Sequence, residues 1–285
     1  MSVQLEEVRF GLPHIELAAH LYGPADGHPV IALHGWLDNA MSFSRLAPRL
    51  EGLRIVALDL AGHGHSGHRP AGCSYALWDY VRDVLLVADQ LGWQRFSMLG
   101  HSLGAIIATM LAGALPERVE RLALIDGLLA LTCEPEQAPA QLGEALRAEL
   151  QLGRKCKAIH PTPERAVQAR LRGGYPLSYE AAERLASRSL MPEAGGYRWR
   201  SDARLTLPSP LRLSPAQARA FVEAVRCPVS LVIAEEGLLQ GRAQGWLAQL
   251  PFEQHRLPGG HHLHLDDEAG AAAVADCFKA FLASA

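Results

Sequence analysis

Short runs dense in Val, Ile and Leu recur along the chain: "HPVIALHG", "LRIVALDLAGHG", "FSMLGHS", "ERLALIDG", "CPVSLVIAEEG" and "FEQHRLPGG". Apolar runs of this length read as strands of a parallel sheet covered on both faces. The segments between them carry the helical period. In "YALWDYVRDVLLVADQLG", Leu77, Val81, Val84, Leu85, Ala88 and Leu91 fall on one stripe, and Gly92 follows as a C-cap. Residues 102–115 and 267–283 also read as helical. "SPAQARAFVEAV" offers Ser214 as N-cap, Pro215 at the first helical position and Gln217 at the capping-box position. Repeated strand–helix alternation predicts a doubly wound α/β sheet.

Residues 128–213 break this rhythm. The stretch is rich in Glu, Ala and Arg and is punctuated by Pro161, Pro163, Pro176, Pro192, Pro208 and Pro210. No buried-strand run occurs in it, so it reads as a helical insertion between two sheet strands. The expected division is a core of residues 1–127 and 214–285 with a helical cap at 128–213. Asp202 and Arg204 are expected to pin that insertion to the core, and the other arginines of residues 142–204 to line a solvated helix face.

A chain of 285 residues can bury a sizeable core, and 49% apolar with 20% charged residues argues against disorder. A net charge of −3 leaves no electrostatic footprint for nucleic acid or an anionic membrane. Cys73, Cys133, Cys156, Cys227 and Cys277 form no CxxC pair, which favours free thiols in a reducing compartment over disulfides or structural zinc. The N-terminal segment alternates like a strand, carries Glu6 and Glu7, and lacks the pattern of a signal peptide. No apolar run approaches the length of a membrane span. The expectation is a cytoplasmic enzyme with a small-molecule partner, without nucleic acid or membrane. A homodimer is compatible with it.

The chemistry concentrates at "LGHSLGA", residues 99–105, where Ser102 stands between Gly100 and Gly104. A strand runs into this G-x-S-x-G and a helix leaves it, which is the setting of a nucleophile elbow. A serine hydroxyl needs a base. "LPGGHHLHLDDE" supplies His261 directly after a glycine pair at the end of the last strand, and His262 and His264 are expected to face neighbouring helices or solvent. His262-x-His264-x-Asp266 has the spacing of a metal-binding arm, but no further ligand cluster completes its shell. The expectation is no metal and no cofactor. The acid that orients the histidine is Asp126, at the end of "RLALID", or else Glu235 or Glu236, at the end of "SLVIA"; the order Ser, acid, His fits any of them. Backbone N–H groups of Leu103 and Trp36 would hold an oxyanion. Asp59 is read as capping a strand end, and Asp38 and Asn39 as capping the turn into a helix.

Together "LHGWLDNAMSF", "LDLAGHGHSGH", "LGHSLGA" and "PGGHHLHLD" resemble the α/β-hydrolase superfamily. HGW-x-DN with the GHG loop and "LALID" resembles its serine hydrolase-like branch, and the resemblance implies that the loop cluster of His63, His65 and His68, whose residue type alone would suit a metal, is a structural glycine loop beside the site. The resemblance covers nearly all of the chain and implies a mostly parallel eight-stranded doubly wound sheet with an inserted helical cap. It is specific for fold and triad and poorly specific for substrate. Superfamily members most often carry an Asp where this chain has "AEEGLLQG"; some place the acid after the preceding strand, where Asp126 stands. A serine nucleophile, unlike the aspartate of related dehalogenases and epoxide hydrolases, implies an acyl-enzyme and hence an ester or thioester substrate. The other functional class open to this fold is a non-catalytic or very slow binding and sensing protein.

Overall fold

The computed structural model describes residues 6–152, 158–240 and 244–283, so Cys156 lies outside the described residues. The chain begins with strands β1 (Glu6–Leu12), β2 (Ile15–Tyr22), β3 (His28–Leu33) and β4 (Leu53–Leu58). Helix α1 (Leu77–Gln90), strand β5 (Phe96–His101), helix α2 (Leu103–Ala114) and strand β6 (Val119–Ile125) follow. Then come α3 (Ala138–Leu152), α4 (Pro163–Leu171), α5 (Tyr179–Ser189), β7 (Leu190–Glu193) and β8 (Gly196–Trp199). The chain closes with α6 (Pro215–Glu223), β9 (Val229–Glu236), α7 (Gln244–Leu247), β10 (Glu253–Gly260), α8 (Leu263–Asp266) and α9 (Glu268–Ala283).

One eight-stranded sheet runs in the order β1-β2-β4-β3-β5-β6-β9-β10. Only β1 with β2 and β2 with β4 pair antiparallel; the rest is parallel. Its interior strands are buried on both faces, because helices pack on each side. One apolar cluster joins residues of α1, α2 and α6 to the sheet, and a second joins Phe43, Leu46, Val274 and Phe278 to the opposite face. Strand β10 departs from the buried-run reading. It is half exposed because it is an edge strand paired only with β9. The local stop and start signals operate as read: Gly92 adopts left-handed backbone at φ 72° after α1, and Ser214 and Gln217 form a reciprocal capping box on α6.

Between β6 and α6 the chain forms α3, α4 and α5 and also a small hairpin of β7 and β8, which the sequence reading lacked. These strands are four residues each and half exposed, too short to register as a buried run. Gly195 and Gly196, at φ 87° and 147°, carry the turn between them. Asp202 and Arg204 do tie this segment to the sheet side: Tyr75 donates to Asp202 Oδ2 at 2.7 Å, and Arg204 donates to the carbonyls of Pro70 and Cys73 at 2.7 and 2.9 Å.

Two arginines of the segment contradict the solvated-face expectation. Arg170 reaches the Asp38 carboxylate, and Arg188 of α5 is buried. Arg188 Nε donates to Asp59 Oδ2 at 2.8 Å and its Nη1 to Glu7 Oε2 at 2.7 Å. Asp59 also accepts from the amides of Ala40 and His65, each at 2.7 Å, so it ties two loops to the end of β4. Removing one partner of a buried pair strands the other charge without compensation. Arg188→Met is therefore expected to lower stability by about 3–5 kcal/mol in urea unfolding. A loss below about 1 kcal/mol, the scale of an exposed pair, would contradict the anchoring role.

Candidate active site

Ser102 sits between β5 and α2 at φ 51° and ψ −112°, and its side chain makes no capping bond to α2. A non-glycine residue held there stores about 1–3 kcal/mol of backbone strain. The flanking glycines make the turn sterically feasible. A Cβ on Gly104 would lie 1.9 Å from the carbonyl oxygen of Leu33, so only glycine lets α2 start directly against the end of β3. A Cβ on Gly127 would lie 2.7 Å from the Ser102 Cα, so the loop after β6 also closes onto the turn.

Asp126 follows β6 with φ 42° and is buried. Its carboxylate accepts from His261 Nδ1 at 2.6 Å and from the amides of Leu238 and Leu239 at 2.7 and 3.3 Å. The structure thus brings Asp126 to His261, while Glu235 and Glu236 end β9 exposed to solvent. Donation from Nδ1 leaves Nε2 of a neutral ring with a free lone pair, the tautomer a general base requires. Among the described residues no hydrogen bond joins the Ser102 hydroxyl to His261. Such bonds are often long before substrate tightens the site.

Burial pushes the Asp126 carboxyl up, but the hydrogen bonds from His261 and Leu238 prevail and hold it below the usual range. For His261 the balance runs the other way: burial pushes its pKa down and outweighs the upward pull of the Asp126 hydrogen bond and charge. The ring is therefore neutral, and available as a base, at neutral pH.

The Leu103 amide opens α2 and has no intrahelical partner. Trp36 lies in the loop after β3, next to Leu37 at φ 62°. Its indole Nε1 donates to the Leu205 carbonyl at 2.8 Å, so the ring bridges to the segment between β6 and β9 while its backbone remains in the loop. The ring of Tyr175, from the same segment, lies 5.4 Å from that of His261.

Of the two expected directions for His262 and His264, solvent is excluded: both are buried beside His101, and His264 faces the helical turn that carries Ser42 and Phe43. His264 Nε2 lies 3.0 Å from Ser42 Oγ, and Asp266 accepts from the Ser178 amide at 2.6 Å. The His262-x-His264-x-Asp266 arm therefore does not converge, because its side chains serve different neighbours. Asn39 caps its turn by accepting from the Met41 amide at 2.9 Å, but Asp38 does not cap. It lies under the site instead, with His101 and His262, and the ligand atoms of these three fall within 4.8 Å of one another. Arg170 places a positive charge on the same carboxylate at 2.8 Å, so the anion is paired with an arginine. His63, His65 and His68 take separate partners: the Ala61 carbonyl, Glu7 and the Arg200 carbonyl.

The comparisons with known proteins agree with this architecture. The family model described as alpha/beta hydrolase fold matches residues 28–267. The chain is 34% identical over 284 residues to a serine hydrolase-like protein of Danio rerio, covering 94% of this chain and 86% of that one. It superposes with a TM-score of 0.96 and 67% identity on a hypothetical protein of Pseudomonas aeruginosa PAO1, covering 98% and 100% of the two chains. A thioesterase domain from the curacin biosynthetic pathway superposes with a TM-score of 0.82 and 27% identity, covering 96% and 98%. The chain belongs to the alpha/beta hydrolase fold family. Within that family it is similar, over most of its length, to the serine hydrolase-like proteins. Among the described residues no helix is long and apolar enough to cross a membrane.

His261 meets Asp126, while Glu235 and Glu236 are exposed at the end of β9. Asp126→Asn is expected to lower ester turnover by about 10⁴-fold with folding retained, the effect of disturbing the tautomer. Glu235→Gln and Glu236→Gln are expected to stay within about tenfold of the parent, because exposed groups perturb position only weakly. Collapse of a glutamate variant with Asp126→Asn active would reverse the assignment.

Proposed function

We propose that the protein is a cofactor-independent serine hydrolase of carboxylic esters or thioesters. The observation that carries this reading is the 2.6 Å hydrogen bond from His261 to Asp126, beside a serine held at φ 51°. Ser102 Oγ attacks the acyl carbon as its proton passes to His261 Nε2. The oxyanion is held by the amides of Trp36 and Leu103. Collapse of the tetrahedral intermediate breaks the bond to the alcohol or thiol, which leaves with the proton from His261. Water then attacks the acyl-enzyme, giving up its proton to His261, and the acid departs as that proton returns to Ser102. Asp126 stays ionised throughout, stabilising the imidazolium. Residues 128–213 act as the cap over this site, with Trp36 and Tyr175 at its underside, and the cytoplasm is the compartment that fits the free thiols.

The serine hydrolase-like name of the relative and the thioesterase name of the structural neighbour support the same chemistry. Ser102→Ala is expected to abolish labelling by a fluorophosphonate and to lower turnover of a short aryl ester by about 10³-fold or more. Near-normal turnover by the folded variant would sink the mechanism. Labelling of the parent protein without any turnover would favour a sensing role instead.

The base must be neutral to accept a proton, so activity is lost as pH falls through the pKa of His261. Because burial lowers that pKa, the acid limb of kcat/KM is expected below about 6.5, the ordinary histidine value. A limb above that value would contradict the buried-base assignment.

A further inference from the structure

Four parts of the chain converge on one buried carboxylate. Asp38 lies in the loop after β3, two residues beyond Trp36, and is 1% exposed. Its Oδ2 lies 3.2 Å from His262 Nε2 and 3.6 Å from His101 Nδ1, while Oδ1 accepts from Arg170 Nη2 at 2.8 Å. His262 follows the proposed base in the chain, and His101 precedes the proposed nucleophile. Arg170 belongs to α4, in the segment between β6 and β9.

His101 makes a second link. The main-chain carbonyl of His261 can only accept, so the 2.9 Å contact from His101 Nε2 is a donated hydrogen bond. The other ring nitrogen is His101 Nδ1. That atom is buried without a hydrogen-bond partner and aims at the Asp38 carboxylate. Leaving a buried polar atom unpaired is unfavourable, and buried ionic clusters contribute little to stability compared with well-packed apolar side chains. Gly35 shows how closely the parts are fitted: a Cβ there would lie 2.9 Å from His101 Nδ1 and 3.0 Å from Asp38 Oδ2.

We propose that Asp38 is a positioning residue for His261. It acts on the base's main chain through His101 and His262, and Arg170 makes the seating of α4 part of the same arrangement. The proposal rests on His261 being the general base. One carboxylate thereby fixes the oxyanion loop, the nucleophile turn and the base loop relative to one another. Its charge also acts on the base directly. His261 is faced by Asp126 from the loop after β6, by His101 from β5, by His262 next to it in the chain, by His264 of α8, and by the Tyr175 ring from the segment between β6 and β9. The negative charge of Asp38 favours protonated His261, with Arg170 opposing it through the shared carboxylate.

Two substitutions in the full chain test this with opposite signs. Asp38→Asn keeps the shape and removes the negative charge, whereas Arg170→Met leaves that charge uncompensated. Both are expected to lower kcat by about 10²-fold, as small misplacements of catalytic groups do, with KM changed less than about threefold. The acid limb of kcat/KM should move to lower pH in Asp38→Asn and to higher pH in Arg170→Met. A structural defect would not move the limb in opposite directions. Parent-like kcat in folded Asp38→Asn, or a fall in kcat with the limb unmoved, would overturn the proposal. If Asp38→Asn does not fold, Arg170→Met decides alone, and an unmoved limb there overturns it. Ser102→Ala is run alongside: its continued turnover would refute the acyl-enzyme reading itself, whereas inactive Ser102→Ala with parent-like Asp38→Asn refutes only the role of Asp38.

Discussion

The turn at Ser102 is the constraint on which the site depends. Held at φ 51°, this L-residue occupies backbone that is unfavourable by about 1–3 kcal/mol, and the surrounding packing must hold it there. The packing is specific. α2 begins against the Leu33 carbonyl because Gly104 has no side chain, and the loop after β6 closes onto Ser102 because Gly127 has none. The same close approach brings Asp126 to its place at the carboxyl end of β6, where it meets a histidine from the loop after β10. Strain in one residue is thus coupled to the register of β5 and β6, which pair directly through Leu99 with Ala123 and Gly100 with Leu124.

Two buried carboxylates act on His261 from different directions. Asp126 binds the ring and fixes its tautomer, while Asp38 gathers the residues that hold its main chain. Burial strengthens both effects, since charges interact more strongly where water is excluded. It also lowers the pKa of His261 by penalising the imidazolium. The segment between β6 and β9 is tied into the same electrostatics at two points, Arg170 on Asp38 and Arg188 on Asp59. Its placement is therefore coupled to the loops that carry the site.

Much of this was legible before the structure because it depends on local pattern. The buried runs of β3 to β6 and β9, the capping box at Ser214 and the glycine-flanked Ser102 are all written in neighbouring residues. The acid was harder. Asp126 and the pair Glu235 and Glu236 stand at equivalent ends of adjacent strands, so chain order alone leaves all three open; the contact that brings Asp126 to His261 spans 135 positions. The pairing of buried Asp38 with half-buried Arg170, and of buried Arg188 with Asp59, was not legible, because an arginine on an amphipathic helix looks the same whether its face meets water or a carboxylate. The β7–β8 hairpin escaped for a different reason, since four half-exposed residues per strand carry too little apolar signal.

The central claim is a covalent acyl group on Ser102 formed and discharged during turnover. Rapid-quench mass spectrometry of the protein mixed with an aryl ester tests it most directly. The account predicts a transient mass increase equal to the acyl group, mapped to the peptide containing Ser102, that decays as the carboxylic acid appears. Product formation with no acylated intermediate under conditions that make deacylation slow, or an acyl group on any other residue, would contradict it.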